Sequence, residues 1–311
     1  METTPKTTNV RQGTIGGDIT HETIRSFISL FINKDRSPVA DVYEIDFSEV
    51  GFVDPVGVTA LANIAFYLDH KGCQIKFIGE LQDDPSKKGS RFLDDIGLYQ
   101  LIMGCPIRQD ARCPRNARPI YKLEWQGYHN WFYHTAVPWL AGRLRADGDD
   151  IKQWAEFYTI LSEIFLNIKD HAGDDAQVAS VFIWHHPETD EIHIAISDFG
   201  VGIPLNVRRL KPETSTDTIA ILKAIIDGFT TKSVPGNRGA GLDTLIKNVV
   251  VYNGGTVKIV SGFGEARFFN SDGNCKTDAP LNDFKEVYPG TLIYLTMPAK
   301  LTRGETEDLE W

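Results

Sequence analysis

The sequence lacks a long hydrophobic run, and its 311 residues include only four cysteines. Without a run of about 20 apolar residues, no membrane-spanning helix is expected. The first residues lack the basic and apolar regions of a signal peptide, and the cysteines lack paired metal-ligand spacing. We therefore expect a cytoplasmic protein with reduced thiols and no membrane partner.

Excess positive charge is also missing, because the formal net charge is −10 at pH 7. Domains that bind nucleic acid usually carry a basic patch, so nucleic acid is not an expected partner. The 42% hydrophobic and 24% charged residues are ordinary for a globular protein. The length is sufficient for two domains, each with its own core.

Three short segments in the second half of the chain carry residue types suited to a nucleotide site. Segment 1, Glu163-Ile-Phe-Leu-Asn167-Ile-Lys-Asp170-His171, lies in a stretch whose apolar residues recur at helical spacing. Glu163 and Asn167 are four residues apart, so a helix would present both on one face. A carboxylate beside an amide oxygen suits a magnesium–phosphate site with an activated water.

Segment 2, Asp198-Phe-Gly200-Val-Gly202-Ile203, follows an apolar run that predicts a buried strand. Glycine lets the backbone approach a flat ligand, and a carboxylate such as Asp198 can accept a hydrogen bond from the amino group of a base.

Segment 3, Gly236-Asn-Arg-Gly239-Ala-Gly241-Leu242, is rich in glycine and leads into a predicted helix from Leu242 to Tyr252. Free N–H groups at a helix start, together with the positive end of the helix dipole, suit a polyphosphate.

Taken together and in this order, the three segments resemble the GHKL ATPase superfamily, which includes gyrase, MutL, chaperones and histidine kinases. The resemblance covers roughly the C-terminal 180 residues. The pair Gly290-Thr291 before a final apolar strand adds to it. It implies an α/β sandwich with a mixed sheet and helices on one face, which binds ATP and Mg²⁺.

The resemblance also implies roles for individual residues. Glu163 would activate the attacking water, and Asn167 would bind magnesium. Asp198 would bind the adenine amino group, and Thr291 would support this contact through a water molecule. Further positions expected at the nucleotide are Asp170, Gly200, Gly202, Ile203, Lys232, Gly239, Gly241 and Leu242.

The chain departs from the family pattern at two of its positions. Asp170 stands where lysine often precedes the histidine of segment 1, and Asp243 follows Leu242 where a small residue is usual. Gly239 and Gly241 would hinge a mobile lid over residues 214–238. Lys232 lies within that lid and could contact the terminal phosphate.

The N-terminal half has the pattern of a small α/β domain. Strands are predicted at 42–47 and 74–79, and helices at 56–68 and 91–103. Asp54 is a suitable N-cap, and Pro55 suits the first helical position. The run from Ile45 to Gly57 resembles the STAS domain, the fold of anti-sigma-factor antagonists. Val56 stands where that family has a phosphate-accepting serine, which favours a docking or scaffold role.

We therefore expect a STAS-like domain over residues 1–104, a linker over 105–119, an ATP-binding domain over 120–300 and an acidic tail over 301–311. The linker holds four arginines that could bind phosphate or an acidic partner, although a solvated linker is favoured. An aromatic-rich helix is predicted from Trp131 to Leu144, and its tryptophans would pack in the core or at a dimer contact.

The leading hypothesis is a regulatory Mg-ATPase whose lid closes over ATP. The STAS-like domain or a partner protein would respond to this closure. One alternative is a serine kinase that acts on a separate STAS partner, as anti-sigma kinases do. Another is a scaffold that senses ATP without turnover. A homodimer is expected, because GHKL relatives commonly work as dimers.

Overall fold

The computed structural model describes residues 9–78, 88–124, 126–143, 158–159, 161–162, 164–166, 168–169, 178–226 and 241–299. The chain divides into two compact units, Met1–Pro114 and Arg115–Trp311. The division falls within the segment that was expected to be a linker. Parallel strands in one unit and antiparallel strands in the other confirm the α/β class. Within the described ranges, no helix has the length and apolar character needed to cross a membrane.

Unit 1 contains a three-stranded parallel sheet in the order β1-β2-β3. Its elements are β1 (Val10–Ile19), α1 (Ile24–Ile28), β2 (Val42–Val53), α2 (Pro55–His70), β3 (Gln74–Phe77), α3 (Lys88–Asp95) and α4 (Leu98–Met103). The sequence did not predict β1, because most of its residues are exposed and no alternating apolar pattern marks it.

The predicted start of the long helix α2 is confirmed. The Asp54 carboxylate accepts a hydrogen bond from the Gly57 N–H at 2.8 Å, and Pro55 is the first helical residue. Gly57 packs so closely on β1 that a Cβ there would lie 2.2 Å from the Ile19 carbonyl oxygen. Val56 is fully buried. This turn is thus a closely packed helix start, with an apolar side chain at the position compared with the phosphate-accepting serine.

The single helix predicted over 91–103 is wrong, because Gly97 adopts a φ of +82° and separates α3 from α4. The buried Asp94 carboxylate then accepts hydrogen bonds from the Ile107 and Arg108 N–H groups, both at 2.9 Å. The Arg108 side chain also pairs with Asp94, at 3.2 Å. One of the four linker arginines is therefore held by a carboxylate within unit 1.

Unit 2 contains a seven-stranded sheet in the order β4-β5-β6-β10-β7-β8-β9, in which neighbouring strands are antiparallel. Its strands are β4 (Tyr121–Glu124), β5 (Val178–His186), β6 (Glu191–Asp198), β7 (Thr256–Gly262), β8 (Gly264–Ser271), β9 (Asn274–Asp278) and β10 (Tyr288–Pro298). Its α-helices are α5 (Tyr128–Trp131), α6 (Val137–Arg143), α7 (Gly202–Leu210), α8 (Asp217–Ile226) and α9 (Gly241–Ile246). Two π-helical segments, Phe132–Ala136 and Lys247–Tyr252, continue α5 and α9.

The helices of unit 2 pack on one face of this sheet. Alternate residues of the central strands, such as Ile196 on β6 and Ile293 on β10, belong to the same buried cluster as Ile203 and Val207 on α7. Residues 161–162, 164–166 and 168–169 are helical, and the same cluster includes four of them at helical spacing, which are Leu161, Ile164, Phe165 and Ile168.

The first half of the predicted lid is instead part of the core. Ala220 and Ile221 on α8 are fully buried in the main cluster of unit 2. The start of α8 is fixed by Asp283, whose carboxylate accepts hydrogen bonds from the Asp217 and Thr218 N–H groups at 2.7 and 3.0 Å. The expectation of a mobile element is therefore wrong for residues 214–226, and residues 227–238 lie outside the described part of the chain.

Candidate functional site

Asp198 ends strand β6 as a fully buried carboxylate. One of its oxygens accepts a hydrogen bond from the Gly200 N–H at 2.5 Å, which closes the turn after the strand. The other accepts from the Thr291 N–H at 3.2 Å, and Thr291 is the residue that pairs with Asp198 across the sheet.

Strand alternation fixes the direction in which this carboxylate faces. Asp198 is in phase with Ile194 and Ile196, which belong to the cluster beneath the helices. Thr291 is likewise in phase with Ile293 on β10. The side chains of Asp198 and Thr291 therefore lie on the helix-covered face of the sheet, which is the face on which the described residues of segment 1 pack.

Two glycines allow the turn after Asp198 to lie against strand β10. Gly290 has a φ of +81°, and a Cβ there would lie 2.3 Å from the Asp198 carbonyl oxygen and 2.6 Å from the Gly200 nitrogen. Gly202 also has a φ of +81°, and a Cβ there would lie 2.9 Å from the Gly290 carbonyl oxygen. Any side chain at either position would push the Asp198 turn away from Thr291.

Ser261, at the end of β7, is a residue of this site that the sequence did not indicate. It is fully buried, and its hydroxyl donates a hydrogen bond to the Gly290 carbonyl oxygen at 2.7 Å. The same hydroxyl accepts from the Ile203 N–H at 2.9 Å and lies 3.3 Å from the Thr291 hydroxyl. The sequence marks Ser261 only as a polar residue at the end of an apolar strand, and this pattern does not indicate its hydrogen-bond partners.

Segment 3 is described only from Gly241 onward. Gly241 is the first residue of α9, one residue before the predicted start at Leu242, and Leu242 is buried in the core. The Asp243 carboxylate, expected near the phosphates, forms an ion pair with Lys247 at 2.8 Å. The hydrogen bond to Asp243 raises the pKa of the Lys247 ammonium group. The negative charge of Asp243 is therefore compensated within its own helix.

The structure brings together five of the predicted site residues, namely Asp198, Gly200, Gly202, Ile203 and Thr291. Five others, Glu163, Asn167, Asp170, Lys232 and Gly239, lie outside the described residues. Among the described residues, no group of three or more histidine, cysteine, aspartate or glutamate side chains has the arrangement of a metal site.

Comparison with known proteins finds similarity only at the level of structure. No protein-family model and no curated protein matches the chain. The ATPase region of Saccharomyces cerevisiae topoisomerase II matches 45% of this chain with 13% identity and a TM-score of 0.28. The same region bound to ICRF-187 (dexrazoxane) gives 14% identity over 45% of this chain and a TM-score of 0.28.

The B-subunit of DNA gyrase from Myxococcus xanthus matches 50% of this chain with 12% identity and a TM-score of 0.21. The matched part spans 37% of the topoisomerase II ATPase region and 41% of the gyrase subunit. None of these three neighbours is a STAS protein.

Proposed function

We propose that unit 2 binds ATP and that Asp198 accepts a hydrogen bond from the amino group of adenine. The observation that carries the proposal is the placement of Asp198 on the helix-covered face of the sheet, between the Gly200 turn and Thr291. Two backbone N–H groups orient this carboxylate before any ligand arrives. A site that is organised in advance loses less free energy on binding.

The residues around Asp198 fit an adenine ring edge. An ionised carboxylate is purely an acceptor, which suits the donor amino group of adenine. The side chain is fully buried, and a hydrogen bond to a carboxylate is stronger in such a low-dielectric environment than in water. Gly200 has no side chain, so the turn after Asp198 carries none at this position that would block a flat ring.

The test is calorimetric titration of the full chain with ATP. Asp198→Asn replaces one acceptor oxygen with a donor amide, so we expect affinity for ATP to fall about ten- to a hundredfold, or roughly 1.5–3 kcal/mol. Asp94→Asn is the matched control, because Asp94 is also a buried carboxylate with two backbone N–H partners but lies in unit 1. Unchanged affinity in Asp198→Asn would exclude the proposed site.

We further propose that the bound nucleotide is Mg-ATP and that it is hydrolysed. Support comes from the sequence spacing of Glu163, as the base that activates water, and Asn167, as the magnesium ligand. Magnesium would neutralise charge on the phosphates. Asp170, Lys232 and the third-segment glycines would contact the phosphate groups. Glu163→Gln should retain ATP binding and lose phosphate release. Equal phosphate release in this variant and the wild type would exclude Glu163 as the base.

For unit 1, we propose a contact role, either for a second copy of the chain or for a regulatory partner. Val56 is buried and has no hydroxyl, so this position cannot carry a phosphate switch, and a contact role is what remains of the STAS resemblance. A serine kinase for a separate partner and a scaffold without turnover are the alternatives. Incubation with labelled ATP separates them, because hydrolysis releases free phosphate, a kinase labels protein and a scaffold does neither. Light scattering over a concentration series tests the homodimer.

A further inference from the structure

We propose that Ser261 is a positioning residue for adenine recognition, which it performs without touching the ligand. Its hydroxyl would hold the turn after Asp198 against strand β10 and thereby fix the Asp198 carboxylate. This inference rests on the proposed ATP site and assigns to it a residue from a third strand, β7.

The Ser261 hydroxyl makes two hydrogen bonds to backbone groups that are distant in the sequence. Ser261 donates to the carbonyl oxygen of Gly290, 29 residues away, and accepts from the N–H of Ile203, 58 residues away. Gly290 lies on β10, and Ile203 lies in the first turn of α7, directly after the segment 2 glycines. The hydroxyl therefore connects both backbone segments that border Asp198.

Gly290 and its neighbour Thr291 both contact Asp198 or the turn that follows it. Gly290 lies directly against the Asp198–Gly200 turn, where even a Cβ would come within 2.3 Å of the Asp198 carbonyl oxygen. The next residue, Thr291, donates its N–H to the Asp198 carboxylate at 3.2 Å. A shift of Gly290 relative to β7 would therefore move both the turn and one of the two donors that orient Asp198.

The pairing of β10 with β7 is irregular next to Gly290. β10 pairs regularly with β7 from Thr291 onward, but the register shifts between Tyr288 and Thr291. At such an irregularity the ladder does not fix the backbone by itself. The Ser261 hydroxyl bonds to Gly290 within this irregular stretch, so it supplies a constraint that regular strand pairing lacks there.

The experiment compares ATP with GTP on the full chain. GTP has the same ribose and triphosphate but carries a carbonyl oxygen where adenine has its amino group. Ser261→Ala removes the hydroxyl and leaves the side chain otherwise similar in shape. We expect ATP affinity to fall about tenfold and GTP affinity to stay the same, so the ATP/GTP affinity ratio falls about tenfold.

Thr256→Val is the matched control. The Thr256 hydroxyl bonds to the Thr296 hydroxyl at 2.9 Å, joining the same two strands at the end remote from Asp198. This variant should keep the wild-type ATP/GTP ratio. Ser261→Cys provides a second variant of closely similar volume, and its weak S–H donor should give an intermediate ratio.

The outcomes separate this inference from the function on which it rests. Equal losses for ATP and GTP, or an unchanged ratio in both Ser261 variants, would show that Ser261 only stabilises the fold. If the wild type bound ATP no better than GTP, adenine recognition by Asp198 would fail, and the role of Ser261 with it.

Discussion

Gly290→Ala tests the close approach of strand β10 to the Asp198 turn. The first cost is backbone strain, because a φ of +81° is unfavourable for alanine by about 1–2 kcal/mol. The second cost is overpacking: a Cβ placed 2.3 Å from the Asp198 carbonyl oxygen must move that carbonyl, at about 1–3 kcal/mol. The free energy of unfolding of unit 2 should therefore fall by about 2–5 kcal/mol.

Urea unfolding followed by tryptophan fluorescence measures this change in the full chain. All six tryptophans lie in unit 2, so the signal reports that unit alone. Gly273→Ala is the control, because Gly273 has a similar φ of +78° but a Cβ there would have no neighbour within 4 Å. It should cost only the strain, about 1–2 kcal/mol.

The difference between the two variants isolates the contact with the Asp198 turn. In Gly290→Ala the turn must separate from β10, so ATP affinity should also fall at least tenfold, whereas Gly273→Ala should bind ATP as the wild type does. Equal stability losses in the two variants, with equal affinity for ATP, would refute the close approach as the basis of the site.

Three further predictions concern α8, its cap and unit 1. Asp283→Ala removes the acceptor for two N–H groups at the start of α8, so it should lower the free energy of unfolding of unit 2 by about 1–2 kcal/mol. The control Asp278→Ala, at an exposed position on β9, should have little effect. The α8 amides from residue 220 onward should exchange hydrogen slowly with and without an ATP analogue, and fast exchange in the free protein would contradict their place in the core. Burial, together with the Asp94 and Asp46 carboxylates, raises the pKa of Tyr99 above its ordinary 10.0. The folded state therefore retains the phenol proton longer, so the stability of unit 1, followed by circular dichroism, should fall as the pH rises above 10.0 and should not rise there.

Local chemistry in the sequence predicted the ends of several elements well. Asp54-Pro55 predicted the start of α2, and Asp198-Phe-Gly predicted the turn after a buried strand, because capping and turn formation depend on neighbouring residues. The proximity of Asp198 and Thr291, which are 93 residues apart, came from the family resemblance and not from local pattern.

The failed prediction of the lid and the failure to identify Ser261 both depended on distant partners. The polar run Thr214-Ser-Thr-Asp-Thr218 was interpreted as the start of a mobile lid, but Asp283, 66 residues after Asp217, satisfies the helix start and holds it in the core. Ser261 was missed for the same reason, since its partners lie 29 and 58 residues away. Composition and periodicity describe a residue's neighbours in sequence and carry little information about such pairs.

The crowded meeting point of Gly202, Ser261 and Gly290 has a consequence for how this site can diverge between species. A Cβ at position 202 would lie 2.7 Å from the Ser261 hydroxyl and 2.9 Å from the Gly290 carbonyl oxygen, so Gly202 cannot change alone. A larger residue at 202 becomes compatible only if position 261 loses its hydroxyl and the strand at 290 shifts outward. Homologous sequences with a side chain at position 202 should therefore also lack the hydroxyl at position 261, whereas the unobstructed Gly273 should vary independently of both.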